Sequence, residues 1–324
     1  MSIFDLPSER TTIEPLQYPF SINYETPLFF TGSCFVETIG NLMKQLRFKT
    51  LVNPFGTLYN PVSIYDSLNR VAHNTAFEES DLQKDGEQFF SYDTNTTFRH
   101  NGADTLLSNL NTVLQDAHSH FKQSRIVFIT LGTAFVFRRL ETQTIVANCQ
   151  KQPASLFANE LLELQSVTDT LRKIITLSHD KKIVFTVSPI RHLKNGLTGN
   201  ARSKALLLTA IHELVDNKTV FYFPSYEIMI DDLRDYRYYD SSLTHLSETA
   251  KQYVFHHFAS AFFDNPTTTL AKRLEKFNKQ WNHRPINNIL QHYIQLEQTI
   301  KKLQQDYPFL SFEEELTEIK KLVS

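Results

Sequence analysis

Ser33 stands where a short apolar run, Leu28-Phe29-Phe30, breaks at Gly32 and gives way to an amphipathic stretch. In that stretch Val36, Ile39, Leu42, Met43 and Leu46 recur at helical spacing, so the segment reads as strand, turn and helix. Such a turn lies at the carboxyl edge of a strand, where open α/β sheets bind ligands. A hydroxyl there faces the free amides and positive end of a helix, a sink for an oxyanion formed when it attacks a carbonyl. The same Gly-Ser pair also reads as a plain tight turn with a helix cap. Cys34 is a competing nucleophile, because a helix N-terminus lowers a thiol pKa. One residue into the helix, it equally suits a small core position.

A second cluster runs from Asp231 to His245, dense in Asp, Arg and Tyr. A histidine just before a helix at the same sheet edge can serve as general base to a serine, with Asp240 as the nearest carboxylate to orient its ring. The alternative is a solvated loop whose charges pair among themselves. Arg191 and His192 follow Ser188-Pro189 at that edge and either contact substrate or belong to an ordinary loop. Other histidines lack ligand spacing: His118 and His120 are two apart on a helix, and His256 and His257 are adjacent. There is no His-Glu-x-x-His, Cys-x-x-Cys, Gly-x-Gly-x-x-Gly or Walker loop, so neither a metal nor a cofactor is expected.

Five apolar runs must position these groups: Leu28–Phe30, Arg47–Val52, Arg125–Gly132, Lys182–Val187 and Thr219–Phe223. Most are separated by helical patterns, which predicts one parallel sheet covered on both faces. Helices are expected from Pro61 through Leu68, from Asp104 to Lys122, from Ala158 to Leu177, from Ala201 to Val215 and from Ser247 to Phe262. Phe135–Phe137 and Thr144–Val146 suggest a hairpin, and Asn74–Asn101 an irregular insertion. From Asn265 onward, Leu270, Leu274, Phe277, Leu296 and Ile300 keep helical spacing among many charges. That predicts a helical extension, 265–324, packed on the core domain 1–264 or on a partner chain, in which case it would build a homo-oligomer.

Composition narrows the classes. With 324 residues, 41% of them hydrophobic, the chain can bury a large core. A formal charge of −2 provides no basic footprint, so nucleic acid is not an expected partner. No apolar run approaches 18 residues, so no membrane span is expected. Met1 to Phe20 lacks the apolar core of a signal peptide. Two cysteines, Cys34 and Cys149, make no disulfide framework, and a reducing, cytoplasmic setting is expected.

Several separated blocks resemble the GSCFA-domain family: Gly32-Ser33-Cys34-Phe35, Asn53-Pro54-Phe55-Gly56 with Tyr59-Asn60-Pro61, and Thr130-Leu131-Gly132-Thr133. So do Val146-Ala147-Asn148-Cys149, Phe185 through His192, Tyr222 through Met229, and Leu233 through Arg237. The resemblance covers roughly Phe29 to Phe258. It implies membership of the SGNH (GDSL-like) hydrolase superfamily and a flavodoxin-like three-layer α/β/α fold. It makes Ser33 the nucleophile and His245 the base, with the amides of Ser33 and Gly56 in the oxyanion hole. The superfamily's third block carries Asn after a Gly, but Thr133 follows Gly132 here, so Asn148 is the candidate donor. The last block, Asp-x-x-His, is also altered, since Ser242 stands three before His245. Gln150 stands where a His is expected after Asn148-Cys149. Asp240, a backbone carbonyl, or nothing then orients His245. The expected activity is hydrolysis of an O-acyl ester, an O-acetyl carbohydrate among the candidates, through Ser33, His245 and Asp240. Acyl transfer is a close relative. A non-catalytic binding or assembly protein is the reading from another class.

Overall fold

The computed structural model describes residues 11–283, 285 and 287–323. The first half of the Met1–Phe20 stretch thus lies outside the described residues. Five strands form the central sheet: β1 (Leu28–Gly32), β2 (Thr50–Val52), β3 (Ile126–Leu131), β4 (Lys182–Val187) and β5 (Val220–Tyr222). Their spatial order is 2-1-3-4-5 and every pairing is parallel. This is the flavodoxin-like order, whose ligand crevice opens where the order reverses, between β1 and β3.

Alternation along the strands divides their side chains between two apolar layers. Leu28 and Phe30 of β1 join Ile126, Phe128 and Val184 on one face. Phe29 joins Val127, Ile129, Ile183 and Phe185 on the other. The first face is covered by α1 (Cys34–Gln45), through Phe35, Val36, Ile39 and Met43. The opposite face carries α2 (Pro61–His73), α3 (Ala103–Gln123), α4 (Leu164–Leu177) and α5 (Gly196–His212). Helix α2 starts where the sequence places it: Pro61 occupies the first turn and the Asn60 side chain accepts from Ser63 N at 2.9 Å. Helix α6 (Glu248–Phe262) returns to the first face, with Ser247 as its N-cap.

Three segments differ from their patterns. Ala158–Leu161, expected as the start of a long helix, belongs instead to a strand, Phe157–Leu161, that pairs antiparallel with Phe135–Arg139. That edge offers a ladder and a cross-strand pair, Arg138 to Glu160 at 3.0 Å, which outweigh local helical preference. The hairpin expected from Phe135–Phe137 and Thr144–Val146 forms as Phe135–Arg139 with Ile145–Val146 and is thereby extended to three strands. Residues 74–101 are also less irregular than they read: Leu82–Asp85, Gln88–Ser91 and Arg99–His100 form a second small antiparallel sheet. Helix α5 begins at Gly196, five residues before the expected start.

Beyond α6 run α7 (Asn265–Asn282), α8 (Ile289–Asp306) and α9 (Glu313–Val323). Their Leu270, Leu274, Phe277, Ile300 and Phe312 are buried in the same apolar layer as α1 and α6. Arg47, just after α1, pairs with Glu315, stacks 4.0 Å over the Phe312 ring and donates to the Ser311 carbonyl at 2.7 Å. The extension therefore packs on the core. Among the described residues no helix is long and apolar enough to cross a membrane.

Candidate active site

Gly32 ends β1 with φ +132, and a Cβ there would stand 2.1 Å from the Thr130 carbonyl oxygen. Only glycine lets β1 lie this close to β3 while turning into α1. The turn is fixed from the side as well: Gly32 N donates to Asn53 Oδ1 at 2.9 Å. Glu37, in the first turn of α1, then accepts from Asn53 Nδ2 at 3.0 Å and Thr57 Oγ1 at 2.6 Å.

Ser33 sits at the N-cap position with extended backbone, yet its side chain makes no capping hydrogen bond. The residue is wholly buried and Oγ has no partner among the described residues. An unpaired buried hydroxyl costs free energy, so the hydroxyl is not there as a cap. Cys34 beside it has its thiol pKa pushed up, by burial first and Glu37 second, against a smaller opposite pull from Lys204. That suits a core thiol rather than a thiolate nucleophile.

The backbone donors differ from expectation. Ser33 N–H donates to the Thr130 carbonyl at 3.0 Å and Gly56 N–H to the Asn53 carbonyl at 2.8 Å. Both amides assigned to an oxyanion hole are thus engaged, the first because sheet pairing continues one residue past β1. Gly132 N and Thr133 N both donate to the Tyr59 carbonyl, at 2.8 and 2.9 Å. Asn148 is held in a local turn, its Oδ1 accepting from Gln150 N at 2.7 Å and its N–H donating to the Tyr92 carbonyl at 3.3 Å. No hydrogen bond among the described residues links Asn148 to Ser33. Gln150, where a His was expected, donates from Nε2 to the carbonyls of Ser91 and Thr94 and so ties the hairpin to the insertion.

Gly132 shows what lies near Ser33. A Cβ at Gly132 would lie 3.2 Å from Ser33 Cβ and 3.1 Å from His192 Nε2. His192 Nε2 is buried without a partner among the described residues, like Ser33 Oγ. The Tyr59 ring meets the imidazole edge-on at 5.3 Å, and the His192 backbone N–H donates to Asn200 Oδ1 at 3.0 Å. Burial, then the Lys204 ammonium, then His245 push the His192 pKa down to about 3. Lys204 is fully enclosed and donates to the carbonyls of Gly132 and Ser188, each at 2.7 Å, joining the ends of β3 and β4. Burial brings its own pKa down to about 7.

His245 lies on an exposed loop that Arg191 N ties to the sheet edge, donating to the Thr244 carbonyl at 3.2 Å. Its Nδ1 is 3.1 Å from Thr244 Oγ1 and 3.3 Å from Ser242 Oγ. Ser242 Oγ in turn donates to Asp240 Oδ1 at 2.5 Å. Asp240 thus reaches His245 through Ser242, and the Ser242 hydroxyl is the main cause holding its carboxyl below the usual range. No hydrogen bond among the described residues joins Ser33 to His245, and His245 is the last of the three causes that lower the His192 pKa. The Arg191 guanidinium lies over the rings of Tyr239 at 4.2 Å and Tyr236 at 4.9 Å.

A family model described as "GSCFA family" matches residues 27–258, well over half of the chain. The chain belongs to the GSCFA family. No curated protein gives a match. The GSCFA match begins just before β1 and ends inside α6, so it contains Ser33, His192, Lys204 and His245 and leaves out α7–α9.

Lys204 was not singled out in the sequence, although a signal existed: Lys204, Leu207 and Ile211 share a face at helical spacing, and a lysine on an apolar face is unusual. Among the described residues no group of three or more His, Cys, Asp or Glu is placed to hold a metal. His118 and His120 instead bind the backbone carbonyls of Val71 and Leu28.

Acid sensitivity follows from His192. Its ring stays neutral in the fold down to about pH 3, whereas the unfolded chain takes up a proton near pH 6.5. The stability associated with this group is complete above pH 6.5 and is lost as pH falls toward 3. Between pH 7 and pH 5 the parent protein should lose up to about 2 kcal/mol through this residue. Urea unfolding of His192→Gln at the two pH values checks it: a fall as large as the parent's would show that His192 is not its source.

Proposed function

We propose that this GSCFA protein is a serine hydrolase of the esterase kind, related to the SGNH (GDSL-like) superfamily and acting on an O-acyl ester. The observation that supports it is the Ser33 hydroxyl: buried, unpaired, and set at the carboxyl end of a central strand beside the reversal in strand order. Such a group costs stability and is characteristic of a site kept for chemistry.

In this reading Ser33 Oγ attacks the ester carbonyl carbon while its proton passes to His245 Nε2. The same nitrogen then returns the proton to the leaving alcohol oxygen, and water repeats the cycle on the acyl-serine. With Ser242 Oγ donating to Asp240, Thr244 Oγ1 donates to Ser242 Oγ at 2.6 Å and keeps a lone pair to accept from His245 Nδ1–H at 3.1 Å, which leaves Nε2 as the base. The loop bearing His245 closes on Ser33 when substrate binds, as catalytic hydrogen bonds commonly tighten at that stage. An acceptor alcohol in place of water would make the same site an acyltransferase. We further propose that residues 1–264 carry this chemistry, with 265–324 as a bracing extension, in a reducing, cytoplasmic setting consistent with two free cysteines.

Turnover of short-chain nitrophenyl esters tests the activity, with labelling of Ser33 by a fluorophosphonate as the direct readout. Cutting the relay with Ser242→Ala should lower kcat about tenfold, since general-base help is worth ~10²–10⁴ and only its orientation is lost. Ser242→Asp, which restores the direct carboxylate, should raise kcat above the parent. Equal rates in all three proteins would exclude Asp240 from the mechanism.

A further inference from the structure

Three backbone amides close to Ser33 are spent. Ser33 N, Gly132 N and Thr133 N are bonded to carbonyls, as is Gly56 N farther along. A tetrahedral intermediate on Ser33 needs a donor aimed at its oxygen, because negative charge in a dry pocket is otherwise prohibitive. A polar group that lies near Ser33 Cβ beside Gly132 and has no partner among the described residues is His192 Nε2.

We propose that His192 is a catalytic residue: its Nε2–H donates to the oxyanion on Ser33, filling the place left by Thr133 after Gly132. It rests on the esterase reading above. When the Oγ–C bond forms, the carbonyl π pair moves onto oxygen and the serine proton goes to His245. His192 keeps its proton and only donates a hydrogen bond. The surroundings suit that division. The Lys204 ammonium stands behind the same Gly132 peptide, disfavouring a second proton on His192 and favouring negative charge in front of it. A neutral imidazole acting as a hydrogen-bond donor is established chemistry for polarising a carbonyl. Tyr59 and Asn200 fix the ring and the backbone, so the donor is aimed before substrate arrives.

The test uses full-length parent protein, His192→Ala and His192→Gln, with nitrophenyl acetate and a fluorophosphonate probe. Loss of one oxyanion donor should lower kcat ~10²–10³-fold with KM nearly unchanged, and the glutamine amide should recover at least about tenfold of it. In the phosphonylated parent, 15N-resolved NMR should show a proton on His192 Nε2, shifted downfield by the adduct oxygen. Parent-like kcat in His192→Ala, or a bare Nε2 in the adduct, overturns the proposal while leaving Ser33 in place. Equal losses in both variants with a raised KM would assign His192 a structural role and also overturn it. A parent in which Ser33 never reacts removes the esterase reading and this proposal together. Should His192→Ala fail to fold, the glutamine variant and the spectrum still decide.

Discussion

Ser33→Ala is expected to lower ester turnover by at least ~10³-fold, the scale on which removal of a nucleophile leaves only binding and electrostatic help. Fluorophosphonate labelling should vanish with it. The expected effect on stability has the opposite sign. Ser33 Oγ is buried and bonded to nothing among the described residues, so removing it orphans no partner and relieves a desolvated hydroxyl. Urea unfolding should find the variant unchanged or up to about 1 kcal/mol more stable. A structural serine would behave the other way, with stability falling and turnover following it. Full turnover in Ser33→Ala would remove the mechanism outright.

The largest effect on folding is expected from Gly32→Ala. At φ +132 an added Cβ meets the Thr130 carbonyl oxygen at 2.1 Å and the Thr130 nitrogen at 2.8 Å. Both are backbone atoms of a central strand, so neither can step aside as a side chain would. Relief requires β1 to separate from β3, which removes the Gly32–Thr130 pairing and the Ser33 N–H bond to Thr130. The cost should exceed about 4 kcal/mol, in the range reserved for forced backbone strain and broken pairing. Gly86→Ala is the control: its φ is +59, but nothing lies within 4 Å, so only about 1–2 kcal/mol of left-handed strain is expected. Similar urea midpoints for the two variants would show that contact with Thr130 does not matter.

The strands β1, β3 and β4 were legible because a parallel sheet buried on both faces demands continuous apolar runs, and Leu28–Phe30, Ile126–Leu131 and Lys182–Val187 provide them. Phe157–Leu161 was not, since its pairing with Phe135–Arg139 depends on a distant edge that local periodicity does not encode. The site divides the same way. Ser33 and His245 announce themselves by residue type beside a turn or a helix start. The engagement of Ser33 N–H does not, because it depends on how far β1 keeps register with β3. Lys204 was hidden by its chemistry: a lysine on a helix usually means water, and only the carbonyls of Gly132 and Ser188 explain one inside.

Arg47 has a mechanical consequence. It follows α1 directly, adopts φ +63, and clamps α9 through Glu315, Phe312 and Ser311. Helix α1 starts one residue after Ser33 and ends two residues before this clamp, so it works as a rod fixed at both ends. Helix α9, beyond the residues that the family model matches, is therefore the abutment against which the rod bears. Family match and load part company here: Ser33 lies with the sheet inside the matched residues, and part of the rigidity of its turn comes from helices outside them.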